Sequence, residues 1–137
     1  TILGITRGTT RNHMVRAGLQ AMAYQAYDLL QSMDKDSGLK LKILRVDGGA
    51  SVNNYLCQFQ ADILGITVSR PEHIETTAIG AAFLAGLATG VWEDIDALRS
   101  LWKEERSFHL QRSQEKVDEC LMGWRRAVDR AKGWVAP

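Results

Sequence analysis

The chain has 137 residues, of which 45% are hydrophobic and 24% charged, with a formal net charge of +1. Length and composition fit one globular domain of the soluble class with a moderate core. The charge gives no electrostatic case for nucleic acid or an anionic membrane as partner, and no apolar run nears the roughly 20 residues that span a bilayer.

Thr1-Ile2-Leu3-Gly4-Ile5 opens the chain as an apolar, β-prone run with no initiator methionine before it, as expected of part of a longer protein. Ile2 to Thr6 reads as a short strand, and Thr9 or Thr10 as the cap of a long helix. Val15, Leu19, Met22, Ala26, Leu29/Leu30 and Met33 recur at three- and four-residue steps, which predicts one buried helical face. Gly38 is placed to end that helix in a left-handed conformation. Leu41 to Val46 reads as a second strand and Gly48-Gly49 as a turn. Val52 to Leu64 then gives a helix burying Leu56, Phe59, Ile63 and Leu64, closed by Gly65.

Ile66 to Ser69 reads as a third short strand, stopped by Arg70-Pro71. Thr76 or Thr77 is expected to cap a third helix, Ala78 to Thr89, ended by Gly90. Within the mixed stretch Val91 to Leu110 a short helix is expected around Asp94 to Leu101. The last helix is expected from Arg112 to Trp134, with Val117, Leu121, Trp124, Val128 and Ala131 as its apolar stripe. Alternating strand and helix predicts an α/β fold with parallel strands joined by right-handed crossovers. Three short strands are few for such a sheet, so residues 1–137 read as a single partial domain. No repeat or low-complexity segment interrupts it. Cys57 and Cys120 lie far apart, each in a helical pattern, and read as free thiols of a reducing, cytoplasmic compartment.

The stretch richest in chemistry is Arg45-Val46-Asp47-Gly48-Gly49-Ala50-Ser51-Val52-Asn53-Asn54. Adjacent glycines at a strand-to-helix corner let a flat or charged ligand approach the backbone with no Cβ in the way. On that reading a nucleobase or ribose lies against Gly49 and Asn53 offers its amide. The alternative is a plain tight turn, with Asn53 as a helix cap. The turn is neither a Walker loop nor a GxGxxG fingerprint, so base or sugar contact fits better than a grip on phosphates. The small residues of the Thr76–Gly86 helix read mainly as packing, although its start could face the same cleft. His13, His73 and His109 show no metal-ligand spacing, and His13 reads as a capping or packing residue. Glu104/Glu105, Asp118/Glu119 and the Arg125/Arg126/Arg130/Lys132 cluster read as solvated surface. No serine or cysteine stands in a nucleophile-elbow context.

Gly4-Ile5-Thr6-Arg7-Gly8, His13-Met14 and Ala17-Gly18-Leu19-Gln20 resemble the second signature of the FGGY carbohydrate kinases, with Gly18 departing from its usual Ala, Ser or Thr-like residue. Arg45-Val46-Asp47-Gly48-Gly49-Ala50, Asn53-Asn54, Gln58 to Leu64, Glu75 to Ala82 and Gly123 to Val128 resemble the members of that family that phosphorylate glycerol. The likeness covers nearly the whole chain. It implies the actin-like ATPase fold, two RNase H-like domains facing a cleft, with this chain as the later part of the second, adenine-holding domain.

By the match to the family's motif, Gly49 and Asn53 are nucleotide contacts, the Gly49 backbone approaching the adenosine and the Asn53 side chain hydrogen-bonding it. The resemblance implies an ATP:glycerol phosphotransferase that works with Mg²⁺. The aspartate base, the phosphate loops and the main magnesium-holding residues belong to parts outside this chain. No catalytic residue and no metal ligand is therefore expected here, and the isolated chain should be inactive and hold ATP weakly. The open readings are another kinase of the family, acting on a pentulose or gluconate, and a non-catalytic actin-like nucleotide-binding module. Partners are expected to be glycerol and ATP through the whole enzyme, the preceding domain, and further copies in a homo-oligomer. Self-association follows from the strand edge and apolar helix face that a partial sheet leaves open.

Overall fold

The computed structural model describes residues 1–133. Its elements are α1 (Arg11–Ser37), β1 (Ile43–Arg45), a 3-10 turn (Gly49–Val52), α2 (Asn54–Leu64), β2 (Thr67–Pro71), α3 (Thr76–Ala88), α4 (Ile95–Leu101), β3 (Glu104–Phe108) and α5 (Gln114–Ala131). The sheet runs in the order β1-β2-β3. β1 and β2 are parallel, pairing Leu44 with Val68 and Arg45 with Ser69. β3 is antiparallel to β2, so the sheet is mixed and the all-parallel expectation is corrected. The register of that second pair shifts between Arg70 and Pro71.

α2 is the centre of the molecule because it is apolar on two sides. One side carries Leu56, Phe59 and Ile63 against Ala23 of α1 and Val117 and Leu121 of α5. The other carries Cys57 and Ala61 against Val68 and Phe108 of the sheet. Phe59 meets Tyr24 edge-on at 5.4 Å, and Tyr24 in turn stacks on Trp124 at 5.1 Å. Of the inward residues expected on α2, Leu56, Phe59 and Ile63 are found inside, as are Val117 and Leu121, whereas Leu64 is half-buried.

Local punctuation behaves as read. Gly38 and Gly65 end α1 and α2 at φ +67° and +66°, a region costly for residues with a Cβ. Thr10 precedes α1, and His13 Nδ1 accepts its backbone N–H at 3.1 Å, fulfilling the capping role read for His13. Asp94 caps α4 by accepting from the Ala97 N–H at 2.8 Å.

Four expectations are corrected by long-range pairing. Ile2 to Thr6 forms no strand, since no other described segment offers it a ladder. β2 runs on through Arg70 and Pro71, with the proline at the strand end where a missing N–H is tolerated. On α1 the buried face runs through Leu19, Ala23, Tyr24 and Tyr27, while Val15, Met22, Leu29 and Met33 are exposed. α5 begins at Gln114, because Arg112 is drawn away to Asp62 (Nε to Oδ2, 3.1 Å). Trp134, the expected end of that helix, lies outside the described residues.

Candidate nucleotide site

β1 delivers the backbone to the turn, and the Val46 N–H donates to Ser69 O of β2 at 3.0 Å. Gly48 then takes φ +73°, which fixes glycine at this position. Its N–H donates to Ile74 O at 2.8 Å, and its carbonyl accepts from the Ser51 N–H at 3.0 Å and the Ser51 hydroxyl at 2.7 Å. These bonds wind residues 49–52 into a 3-10 turn that hands over to α2 at Asn53.

The two glycines differ in why they are glycine. Gly49 has no left-handed φ, and a Cβ built on it meets no atom within 4 Å. Neither backbone strain nor packing within the described residues demands glycine there. What the missing side chain leaves is a bare, accessible stretch of backbone. Asn53 stands at the far end of the same turn. Its Oδ1 accepts from the Leu56 N–H at 3.1 Å, so it caps α2. Its amide nitrogen has no hydrogen-bond partner among the described residues and is free to donate outward. Capping and ligand binding thus use different atoms of one side chain.

Three further side chains hold the turn: Thr76, at the helix start read as able to face the same cleft, and Arg70 and Cys57, which the sequence reading of the site does not include. The Thr76 hydroxyl donates to Asp47 Oδ2, which pins the start of α3 beside the turn. This corrects the threonine cap: Glu75 occupies the cap position and no side chain there bonds the helix. The Ser51 carbonyl accepts from Arg70 Nη1 at 2.6 Å and from the Cys57 thiol at 3.2 Å. Arg70 Nε donates to Glu105 Oε2 at 2.6 Å, while Ser69 Oγ donates to Glu104 Oε2. Glu104 and Glu105 are therefore strand residues tied to β2 rather than plain solvated charges. Hydrogen bonds from Ser69 and Ser107 hold the Glu104 carboxyl below the ordinary range, and Arg70 does the same for Glu105. Burial pushes the Cys57 thiol up, so it is an unreactive neighbour of the turn. Thr76 and Arg70 lie 29 and 19 residues from their partners, and no local signal announces such pairs.

Within the described residues only one side of α3 is packed, through Ile79, Phe83 and Gly86. Its alanines are exposed and Leu84 is 71% exposed, so its small-residue surface faces away from the core. Gly86 is buried under the Trp92 ring, which meets Phe83 edge-on at 5.1 Å. A cavity of about 220 Å³ lies between the start of α3 and Trp102. A longer groove of about 500 Å³ runs between Ile2, α1 and α5. Neither is lined by Gly49 or Asn53, so the turn presents an open surface. It can receive a flat, neutral group on bare backbone and offer it one amide donor.

Residues 1–89 match the C-terminal domain of the FGGY family of carbohydrate kinases. The chain is 53% identical over 135 residues to a glycerol kinase of Burkholderia vietnamiensis, covering 98% of this chain and 27% of that protein. It is 52% identical over 134 residues to a glycerol kinase of Clostridium botulinum, with the same coverage. It thus spans about a quarter of the length of these relatives. Its backbone matches the crystal structure of Plasmodium falciparum glycerol kinase with ADP at a TM-score of 0.84 and 34% identity, over 98% of this chain and 27% of that one. A xylulose kinase from Rhodospirillum rubrum shares the fold at a TM-score of 0.75, with 21% identity over 95% of this chain and 27% of that one. The fold is that of the FGGY kinases, the actin-like ATPase fold.

Proposed function

Since the chain belongs to the FGGY family of carbohydrate kinases, we propose that it is the ATP-holding C-terminal part of a glycerol kinase. The parent enzyme moves the γ-phosphoryl group of ATP to glycerol, giving sn-glycerol 3-phosphate. The observation that carries the nucleotide reading is the pairing, across one turn, of bare accessible backbone at Gly49 with the outward amide nitrogen of Asn53. Adenosine lies against that backbone, and the free amide nitrogen of Asn53 donates to it. Mg²⁺ and the acceptor are held mainly by residues outside this chain. Glycerol is favoured as acceptor by identities of 52–54% to curated glycerol kinases and, among solved structures, by 34% to a glycerol kinase against 19–21% to gluconate and xylulose kinases. Turnover by the parent on glycerol, xylulose and gluconate checks this, and faster turnover on a sugar overturns it.

Asn53 supplies the direct test. Asn53→Asp keeps the oxygen that caps α2 and removes the outward N–H. In the parent kinase it is expected to raise the KM for ATP about 5- to 10-fold, the worth of one hydrogen bond. The KM for glycerol and the melting temperature stay where they are. Asn53→Ala should raise the same constant and also destabilise, by about 1 kcal/mol for the lost cap. An ATP constant unmoved in both variants returns Asn53 to capping alone.

The parent is taken to be cytoplasmic, which suits the free thiols Cys57 and Cys120. Self-association of the isolated chain is supported by the edge of β1 away from β2, which has no described partner, and by the exposed apolar residues of α1. The isolated chain is expected to self-associate in sedimentation velocity at micromolar concentration. A single monomer boundary across the concentration range would count against it.

A further inference from the structure

We propose that Arg70 is a positioning residue of the nucleotide site, bracing the Gly49–Asn53 turn against the sheet through the Ser51 carbonyl. The proposal rests on the reading that Gly49 and Asn53 hold adenosine. Arg70 is only 7% exposed, although it sits on a strand whose sheet is three strands wide. A buried guanidinium is tolerated only when its N–H groups are matched by acceptors. Here they are matched in two directions: Nε to Glu105 of β3 and Nη1 to Ser51 O, each at 2.6 Å. Ser51 is the midpoint between Gly49 and Asn53, two residues from either. Its carbonyl also takes the Cys57 thiol, so two side chains from the core converge on one atom of the turn.

The opposite end of the brace is also built. β2 and β3 pair Arg70 with Arg106 and Pro71 with Glu104, so Glu105 falls at the register shift with no ladder partner. Bulged residues of this kind turn a side chain out of the ordinary alternation. Its carboxylate reaches Arg70 and keeps the guanidinium plane aimed at the turn. The Phe108 ring, 5.4 Å from the guanidinium carbon, supports the same side chain from β3. The sheet thereby sets where the bare Gly49 backbone and the Asn53 amide stand relative to each other. The planar fork is what the geometry needs. A lysine carries the charge but cannot reach both acceptors from fixed directions.

The test uses the parent kinase with ADP as the probe. Arg70→Lys is expected to weaken ADP binding about tenfold by calorimetry and to raise the KM for ATP by a similar factor. kcat at saturating ATP and the KM for glycerol should stay within twofold. Amide exchange should quicken at residues 50–56 and not across the α1–α5 contact. Glu105→Gln keeps an acceptor oxygen and should hold ADP within threefold, whereas Glu105→Ala, at a side chain 44% exposed, should approach the loss seen in Arg70→Lys. Equal changes in the ATP and glycerol constants would make Arg70 merely structural and overturn the proposal. If Arg70→Lys does not fold, unchanged ADP binding in Glu105→Ala overturns it. Asn53→Asp in the same assay separates the two readings. A loss there with none in Arg70→Lys removes the brace and leaves the site, and no loss in either removes both.

Discussion

Gly49→Val in the parent kinase is expected to weaken ADP binding by about 100-fold or more while leaving the melting temperature within about 2 °C. The first half follows from where the valine methyls go. The direction in which Gly49 would grow a side chain is empty among the described residues, and a planar group held against bare backbone occupies that space at contact distance. A branched side chain there forfeits the contact and blocks approach from that side. The second half follows from the same emptiness: a Cβ meets nothing within 4 Å, φ is not left-handed, and the position is exposed, so the turn accepts the Cβ and the methyls extend into solvent. Gly48→Ala is the control one residue away. Gly48 stands at φ +73° and ψ 174°, a region essentially reserved for glycine, where an L side chain costs roughly 1–3 kcal/mol. That variant should therefore lose stability first and affinity only through a loosened turn. Calorimetry with ADP and thermal melting on both variants check the contrast. Undiminished ADP binding by Gly49→Val would leave the glycine pair as a turn and nothing more.

The strand–turn–helix unit is legible in the sequence because its causes are local. A β-branched run, a left-handed glycine, an asparagine acceptor for the Leu56 N–H and a glycine stop at residue 65 all act within a few residues. The groups that hold the turn act from elsewhere. Arg70 reads as the end of a strand next to proline, and nothing nearby shows that its guanidinium reaches Ser51. β3 is hidden for a related reason. Glu104-Glu105-Arg106-Ser107-Phe108 has one apolar residue and no alternation, so it scores as charged surface. It becomes a strand because β2 offers an open antiparallel edge and because Ser69 and Arg70 give its two carboxylates partners. Ile2 to Thr6 shows the converse: a β-prone run with no described neighbour to pair with stays irregular. On α1, periodicity finds an apolar stripe but cannot choose between it and the aromatic and small residues beside it. Packing against Phe59 selects Ala23 and Tyr24.

Asp62→Ala is expected to cost the isolated 137-residue chain about 3 kcal/mol of unfolding free energy, through a residue that sequence patterning passes over. Asp62 sits in the apolar run of α2, and its side chain is only 5% exposed. Its Oδ1 accepts from the Gln111 N–H at 2.8 Å and Gln58 Nε2 at 3.1 Å, and its Oδ2 accepts from Arg112 Nε at 3.1 Å. The carboxylate thus ties α2 to the segment joining β3 to α5. Removing it leaves the Gln111 N–H and Arg112 Nε without their acceptor, while Gln58 Nε2 keeps the His109 carbonyl at 2.7 Å, and the lost partners rather than the lost contact area set the cost. Arg112 is 26% exposed and lies over the Phe59 ring, so water relieves part of its charge but not all. Asp62→Asn should lose less, about 2 kcal/mol: its oxygen can still serve Gln111, but its NH₂ then faces the Arg112 donor. Urea unfolding with unchanged slope and a lowered midpoint is the expected readout, and a loss under 1 kcal/mol in Asp62→Ala would show the network to be dispensable. ADP binding by the parent should be untouched in folded Asp62→Asn. Asp62 is nine residues along α2 from the Asn53 cap, about 13 Å at helical rise. The nearer end of that helix is held by Ser51, Arg70 and its own cap. The two ends of α2 thus divide the work, one fixing the Gly49–Asn53 turn and the other fixing the helix to α5.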